Sequence, residues 1–252
     1  MIESGTVETT VKEGVGTITF YHPKSNSLPG SLLAELASTV TTCGENPEIR
    51  VIIMKSQGEK AFCAGASFAE LQAIKDPDGG KEFFMGFARL INAMRKCPKF
   101  IIARLQGKAV GGGVGVTAAA DYAFARTNSM IKLSELALGL GPFVVGPVCE
   151  RRLGNGPFTA LSIDTDWRSA EWAKQHGLYA DIFETIEELD AAVDKLAKRL
   201  AASNPEAMAA LKTIFWEGTE HWDQLLDDRA VYSGKLANSQ FTSSAIASFG
   251  KK

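Results

Sequence analysis

Residues 107 to 125 read GKAVGGGVGVTAAADYAFA, and five of the first nine are glycine: Gly107, Gly111, Gly112, Gly113 and Gly115. The run lies between an apolar segment, KFIIARLQ, and an alanine-rich one. Glycine inside a regular element costs about 0.5–1 kcal/mol relative to alanine, so the chain must gain something here from bare backbone. Three readings compete. A phosphate cradle is the first, but a P-loop places Lys and Ser/Thr after its last glycine and a dinucleotide fingerprint spaces its glycines G-x-G-x-x-G; this stretch has neither. Close packing of a helix against a strand, or a turn at positive φ, is the second. The third is catalytic. Glycines at a strand-to-helix turn expose N–H groups that have no intrahelical partner and lie at the positive end of the helix dipole. Such groups can hydrogen-bond a developing oxyanion.

An oxyanion hole usually takes two donors, and EKAFCAGASFAEL, residues 59 to 71, offers the second. It follows the apolar run IRVIIMKSQG, and Cys63, Ala64, Gly65, Ala66 and Ser67 are all small. The same segment also reads as an ordinary helix start, with Ser67 as N-cap and Glu70 completing a capping box.

Periodicity places the other elements. VETTVKEGVGTITFYHP alternates and reads as a hairpin ending near Pro23. SLPGSLLAELASTVTTCGEN reads as a helix with Leu32, Leu33, Leu36 and Val40 on one face. IRVIIMKSQG and KFIIARLQG read as buried strands, and GGKEFFMGFARLINAMRKCP as a helix ended by Pro98. Alternation of strands and helices predicts an α/β fold with a parallel sheet, over a core domain of residues 1–185. Residues 186–252 read as helices. Phe83, Phe84 and Phe87 could line a pocket, although a helix packing face explains them more simply.

Composition narrows the classes. The 252 residues are 45% hydrophobic, enough for one or two domains with a sizeable core. A net charge of −2 gives no overall basic field for nucleic acid. The four cysteines and three histidines show no metal-ligand spacing, so no metal is expected, and cysteines this sparse fit a reducing compartment. The first ten residues lack a basic and an apolar region, and no 18-residue apolar run follows. The expectation is a cytoplasmic protein with no signal peptide and no membrane span.

Three segments in order, KAFCAGAS, QGKAVGGGVG and IKLSELALGLGP, resemble the crotonase, or enoyl-CoA hydratase/isomerase, superfamily. Its patterns at these places are A-G-A-D, N-G-x-x-x-G-G-G-x-E and P-E-x-x-x-G-x-x-P. The likeness runs over roughly residues 10 to 180, and NPEAMAALK resembles the family's helical C-terminal segment. It implies a crotonase-like fold of repeated ββα units, with two roughly perpendicular sheets and a C-terminal helical trimerisation domain. It implies a homotrimer or homohexamer acting on acyl-CoA, with the CoA thioester as substrate and no separate cofactor. By the same likeness the oxyanion donors belong to Ala66 and Gly112, and the glycines are bare so that a thioester carbonyl can lie against the peptide groups. Lys24, Ala64, Gly65, Phe68, Gly111, Gly115, Phe249 and Lys252 are assigned to substrate binding. Lys24 reads equally as a solvated lysine, and the C-terminal residues as a frayed end.

The sequence departs from these patterns at several places: Ser67 replaces an aspartate, Ser134 a proline, and Gly115 the first of the two glutamates of the hydratases. The second glutamate is present as Glu135. Its neighbours include Leu133, Leu136, Leu138 and Leu140, and apolar surroundings raise a carboxyl pKa toward the working range. Taken alone, Glu135 also reads as an exposed glutamate at a helix start. One carboxylate suffices to move a double bond. Glu135 would take a proton from C2 of a 3-enoyl-CoA and return it to C4, with the dienolate held by the two N–H groups. Enoyl-CoA hydration, on a branched substrate or with Glu70 or Glu150 standing in for the missing acid, is the second reading. A non-catalytic acyl-CoA-binding protein is the third.

Overall fold

A computed structural model describes residues 5–249, without the side chain of Phe249. The chain builds four successive strand–strand–helix units. The first is β1 (Thr6–Lys12), β2 (Val15–Tyr21) and α1 (Gly30–Glu45). The second is β3 (Val51–Ser56), β4 (Ala61–Cys63), the short α2 (Phe68–Ala73) and α3 (Pro77–Lys96). The third is β5 (Ile101–Leu105), β6 (Lys108–Val110) and α4 (Gly112–Ala119). The fourth is β7 (Tyr122–Arg126), β8 (Ile131–Lys132), a 3-10 turn at Leu136–Leu138 and α5 (Gly146–Leu153). Next come α6 (Asn155–Ile163), α7 (Ala170–Gln175) and β9 (Asp181–Phe183), then α8 (Ile186–Ala201), α9 (Pro205–Phe215), α10 (Trp222–Ala237) and α11 (Gln240–Phe249).

From the second unit on, the two strands of each unit part company. One joins a large sheet of order β1-β2-β3-β5-β7-β9, parallel except for the opening β1–β2 hairpin. The other joins a small parallel sheet, β4-β6-β8. The α/β class and the repeated ββα units expected from the sequence are both present.

Period-two alternation explains how the large sheet is buried on both faces. In β3, Ile52 and Met54 point into the main core, with Ile18, Phe20, Leu36 and Leu90. Val51 and Ile53 point the other way, to Leu189, Val193 and Leu196 of α8. Those three, with Ala197, recur at helical spacing, and a full capping box of Thr185 with Glu188 starts the helix. The C-terminal helical segment thus begins by covering the core sheet. Further along, α10 packs on α3 at a contact of two glycines. A Cβ at Gly80 would lie 2.7 Å from Gly234 Cα, so side chains are excluded there. The four cysteines are free and buried. No helix among the described residues is long and apolar enough to cross a membrane.

Candidate active site

The small sheet creates the site. Its three strands run parallel, so the segments that leave their carboxyl ends emerge side by side: Ala64–Ser67 after β4, Gly111–Gly112 after β6, and Ser134–Glu135 after β8. Gly65 and Gly111 have φ of +89° and +52°, a backbone that side chains rarely tolerate. At Gly65 a Cβ would lie 3.0 Å from the Val110 carbonyl oxygen and 3.7 Å from the Gly112 nitrogen, so two bare peptide segments lie against each other. At Gly111 a Cβ would lie 3.0 Å from Glu135 Oε1.

Ala66 and Gly112 flank this contact. Gly112 is the first residue of α4, whose N-cap, Gly111, has no side chain to cap it. Among the described residues, neither the Ala66 N–H nor the Gly112 N–H donates to a backbone or side-chain acceptor. Both border a cavity of about 180 Å³, also lined by Ala64, Gly65, Phe68, Gly111 and Glu135. Its walls are otherwise mostly apolar: Phe83, Phe84 and Phe87 of α3, Leu138, Leu140, Phe143 and Val145, with the polar Ser134 and, from α10, Ser233. The three phenylalanines, read from the sequence as a packing face, thus serve the cavity as well. Phe143, Val145 and Ser233 were not singled out from the sequence, because they come from loops and a distant helix whose spacing carries no signal.

Glu135 is half-buried as a residue, but its Oε2 is sealed from solvent and has no hydrogen-bond partner among the described residues. Burial pushes its carboxyl up to about 7, opposed only in part by the nearby amides of Glu135 and Ser134. The Cys149 thiol is held well above its usual range, by burial first and by the Glu135 charge second. It therefore stays neutral and adds no second negative charge beside the carboxylate.

Several sequence expectations need correction. Gly112 is bare because of Phe87: a Cβ there would fall 2.2 Å from the ring. Gly113 and Gly107 are closed in the same way, by the Cys63 and Lys60 carbonyl oxygens at 2.6 and 2.4 Å. Close packing and exposed amides are therefore one device. The space beyond Gly115 is filled by Val145, whose Cγ1 would lie 2.5 Å from an added Cβ, and Gly115 does not line the cavity. Among the described residues, no stand-in for the missing acid faces it either. Glu70 Oε2 accepts from the Gly30 N–H at 2.8 Å, capping α1, and Glu150 Oε1 accepts from Asn155 at 2.8 Å. Ser67 does cap α2, accepting from the Glu70 N–H at 3.3 Å, but the reciprocal half of the capping box is absent. His22 is buried beside Ser27, Nδ1 to Oγ 3.0 Å. Lys24 is exposed and lines no part of the cavity. The side chain of Phe249 and all of Lys252 lie outside the described residues.

A second, open groove of about 630 Å³ adjoins the cavity, sharing Ala64 and Val110 with it. Ser25, Lys60, Lys108, Arg126 and Trp167 line it, and Lys108 Nζ lies 4.9 Å above the Trp167 ring. Its character is basic, with Glu59 as the acidic exception.

Residues 10–245 match the family model described as enoyl-CoA hydratase/isomerase. Over 213 residues the chain is 29% identical to a crotonyl-CoA hydratase of Syntrophomonas wolfei, covering 83% of this chain and 80% of the relative. A CoA hydrolase of Rhodococcus jostii, acting on a methyl-dioxo-hexahydroindene-carboxyl-CoA by its name, is 26% identical over 82% of this chain and 79% of its own length. The crystal structure of an enoyl-CoA hydratase from Bacillus halodurans superposes with a TM-score of 0.89, over 96% of this chain and 99% of that one, at 21% identity. That likeness is one of fold.

Proposed function

Because the chain belongs to the enoyl-CoA hydratase/isomerase family, we propose that it is an acyl-CoA enzyme that moves the double bond of a 3-enoyl thioester to the 2-position. The thioester oxygen accepts from the Ala66 and Gly112 N–H groups. Glu135, ionised, takes a proton from C2, and the electron pair spreads over a dienolate whose charge rests on that oxygen. Glu135, now protonated, returns the proton to C4 as the C2–C3 double bond forms. A carboxyl at about 7 is suited to both halves, since it neither holds nor gives up its proton too firmly. The acyl chain lies among the phenylalanines of the cavity. The CoA phosphates leave past Ala64 and Val110 toward Lys60, Lys108 and Arg126.

The observation that carries this reading is a single buried carboxylate beside two unpaired amides, with Val145 where a second acid would come from. Hydration needs a base for water and an acid for C2, and among the described residues the cavity holds one carboxylate for both. The test is a spectrophotometric comparison of 3-enoyl-CoA and 2-enoyl-CoA with wild type and Glu135→Gln. Isomerisation by wild type, lowered about 10²-fold or more in the variant, is expected. Hydration of the 2-enoyl ester well above isomerisation would replace this reading with that of a hydratase, the activity in the Syntrophomonas wolfei relative's name. The assembly proposed is a homotrimer or a dimer of trimers. The exposed Ile163, Tyr232 and Phe241, each more than 60% accessible in the single chain, support it, and light scattering after gel filtration tests it.

A further inference from the structure

Most walls of the acyl cavity are backed by solid protein. Phe87 is buried in the main core, and Phe83 and Phe84 sit on α3 with their rings edge to face at 5.0 Å. Phe143 is different. It lines both the 180 Å³ cavity and an open groove of about 290 Å³. That second space is walled by Gly146, Pro147, Phe158 and Ile163, with Glu150 and Arg229 also on its lining. The ring lies over Gly141, where a Cβ would be 2.5 Å from Phe143 Cζ, and its centroid is 5.8 Å from that of Tyr232. Among the described residues, Phe143 and Pro142 are the ones common to the linings of both spaces.

We infer that Phe143 is the end wall of the acyl pocket and selects short acyl chains. The inference rests on the acyl-CoA reading above. A dry cavity of about 150 Å³ holds a benzene ring, so the space in front of Phe143 takes a chain of about six carbons. A longer chain must either push the ring off Gly141 or stay in water. Removing the ring joins the two spaces and gives the chain an apolar path past Pro147 and Phe158.

Calorimetric titration with saturated acyl-CoA esters tests this without requiring any reaction. Wild type is expected to bind hexanoyl-CoA at least tenfold more tightly than dodecanoyl-CoA. Phe143→Ala is expected to raise the affinity for dodecanoyl-CoA relative to hexanoyl-CoA at least tenfold. Phe143→Leu, which leaves an apolar side chain in place, guards against a folding defect and is expected to shift the ratio in the same direction by less. Equal affinity of wild type for the two esters, or an unchanged ratio in both variants, would overturn the inference and leave the acyl-CoA reading standing. Failure of every acyl-CoA to bind would overturn both.

Discussion

Glu135 behaves as it does because its surroundings disfavour charge, and two consequences follow. As the proposed base it must be ionised, so kcat/KM is expected to rise with pH and level off above about 7. The rise should vanish from whatever activity Glu135→Gln retains. The stability effect has the opposite sense. A carboxyl raised in the fold above its unfolded value holds its proton better when folded. Its contribution is complete below the unfolded value near 4.5 and is lost as pH climbs through about 7. Glu135→Gln carries no such charge, so its melting temperature is expected to exceed that of wild type at pH 8 and to converge with it at pH 5. Converging curves at both values would show that the carboxyl is not desolvated. The residue itself was legible in SELALGLGP, but its isolation was only partly so. Leu133 and Leu140 are buried as their positions suggested, whereas Leu136 is half exposed. The reason for a bare Gly112 was not legible at all, since it lies in Phe87, a residue 25 positions earlier in the chain.

At the scale of elements, the strands of the large sheet and the long helices announce themselves through periodicity. The small sheet does not: β4 and β6 have three residues each and β8 has two, too few to show a period. Yet this sheet brings the three functional segments together. The sequence hinted at it only through small residues after an apolar run. Two further supports come from the C-terminal helices. In α11, Thr242 Oγ1 donates to the Gly139 carbonyl at 3.2 Å, and Phe241 packs where a Cβ on Gly139 would lie, so this helix braces the loop that carries Glu135. The contact of α3 with α10 depends on Gly80 and Gly234. Gly80→Val is expected to force the helices apart and cost about 1–3 kcal/mol, the usual range for overpacking. Urea unfolding would show it as a lowered midpoint with an unchanged slope; an unchanged midpoint would mean that the contact is looser than its geometry.

Taken whole, the molecule carries a net charge of only −2, so attraction for an anionic thioester has to be local. In the proposed reading Lys60, Lys108 and Arg126, which line the groove beside the cavity, supply it. Lys108→Ala is expected to raise KM severalfold with little change in kcat, and added salt to raise the wild-type KM more than that of the variant. Equal salt dependence in the two proteins would place the phosphates elsewhere. In the proposed mechanism one carboxyl, beside two amides that hold the thioester oxygen, carries a proton from C2 to C4. A 3-hexenoyl-CoA labelled with deuterium at C2 tests it most directly, by mass spectrometry and NMR of the product. Because Glu135 Oε2 is sealed from solvent, label is expected to appear at C4 of the 2-enoyl product. A 2-enoyl product with no label at C4 would contradict the account.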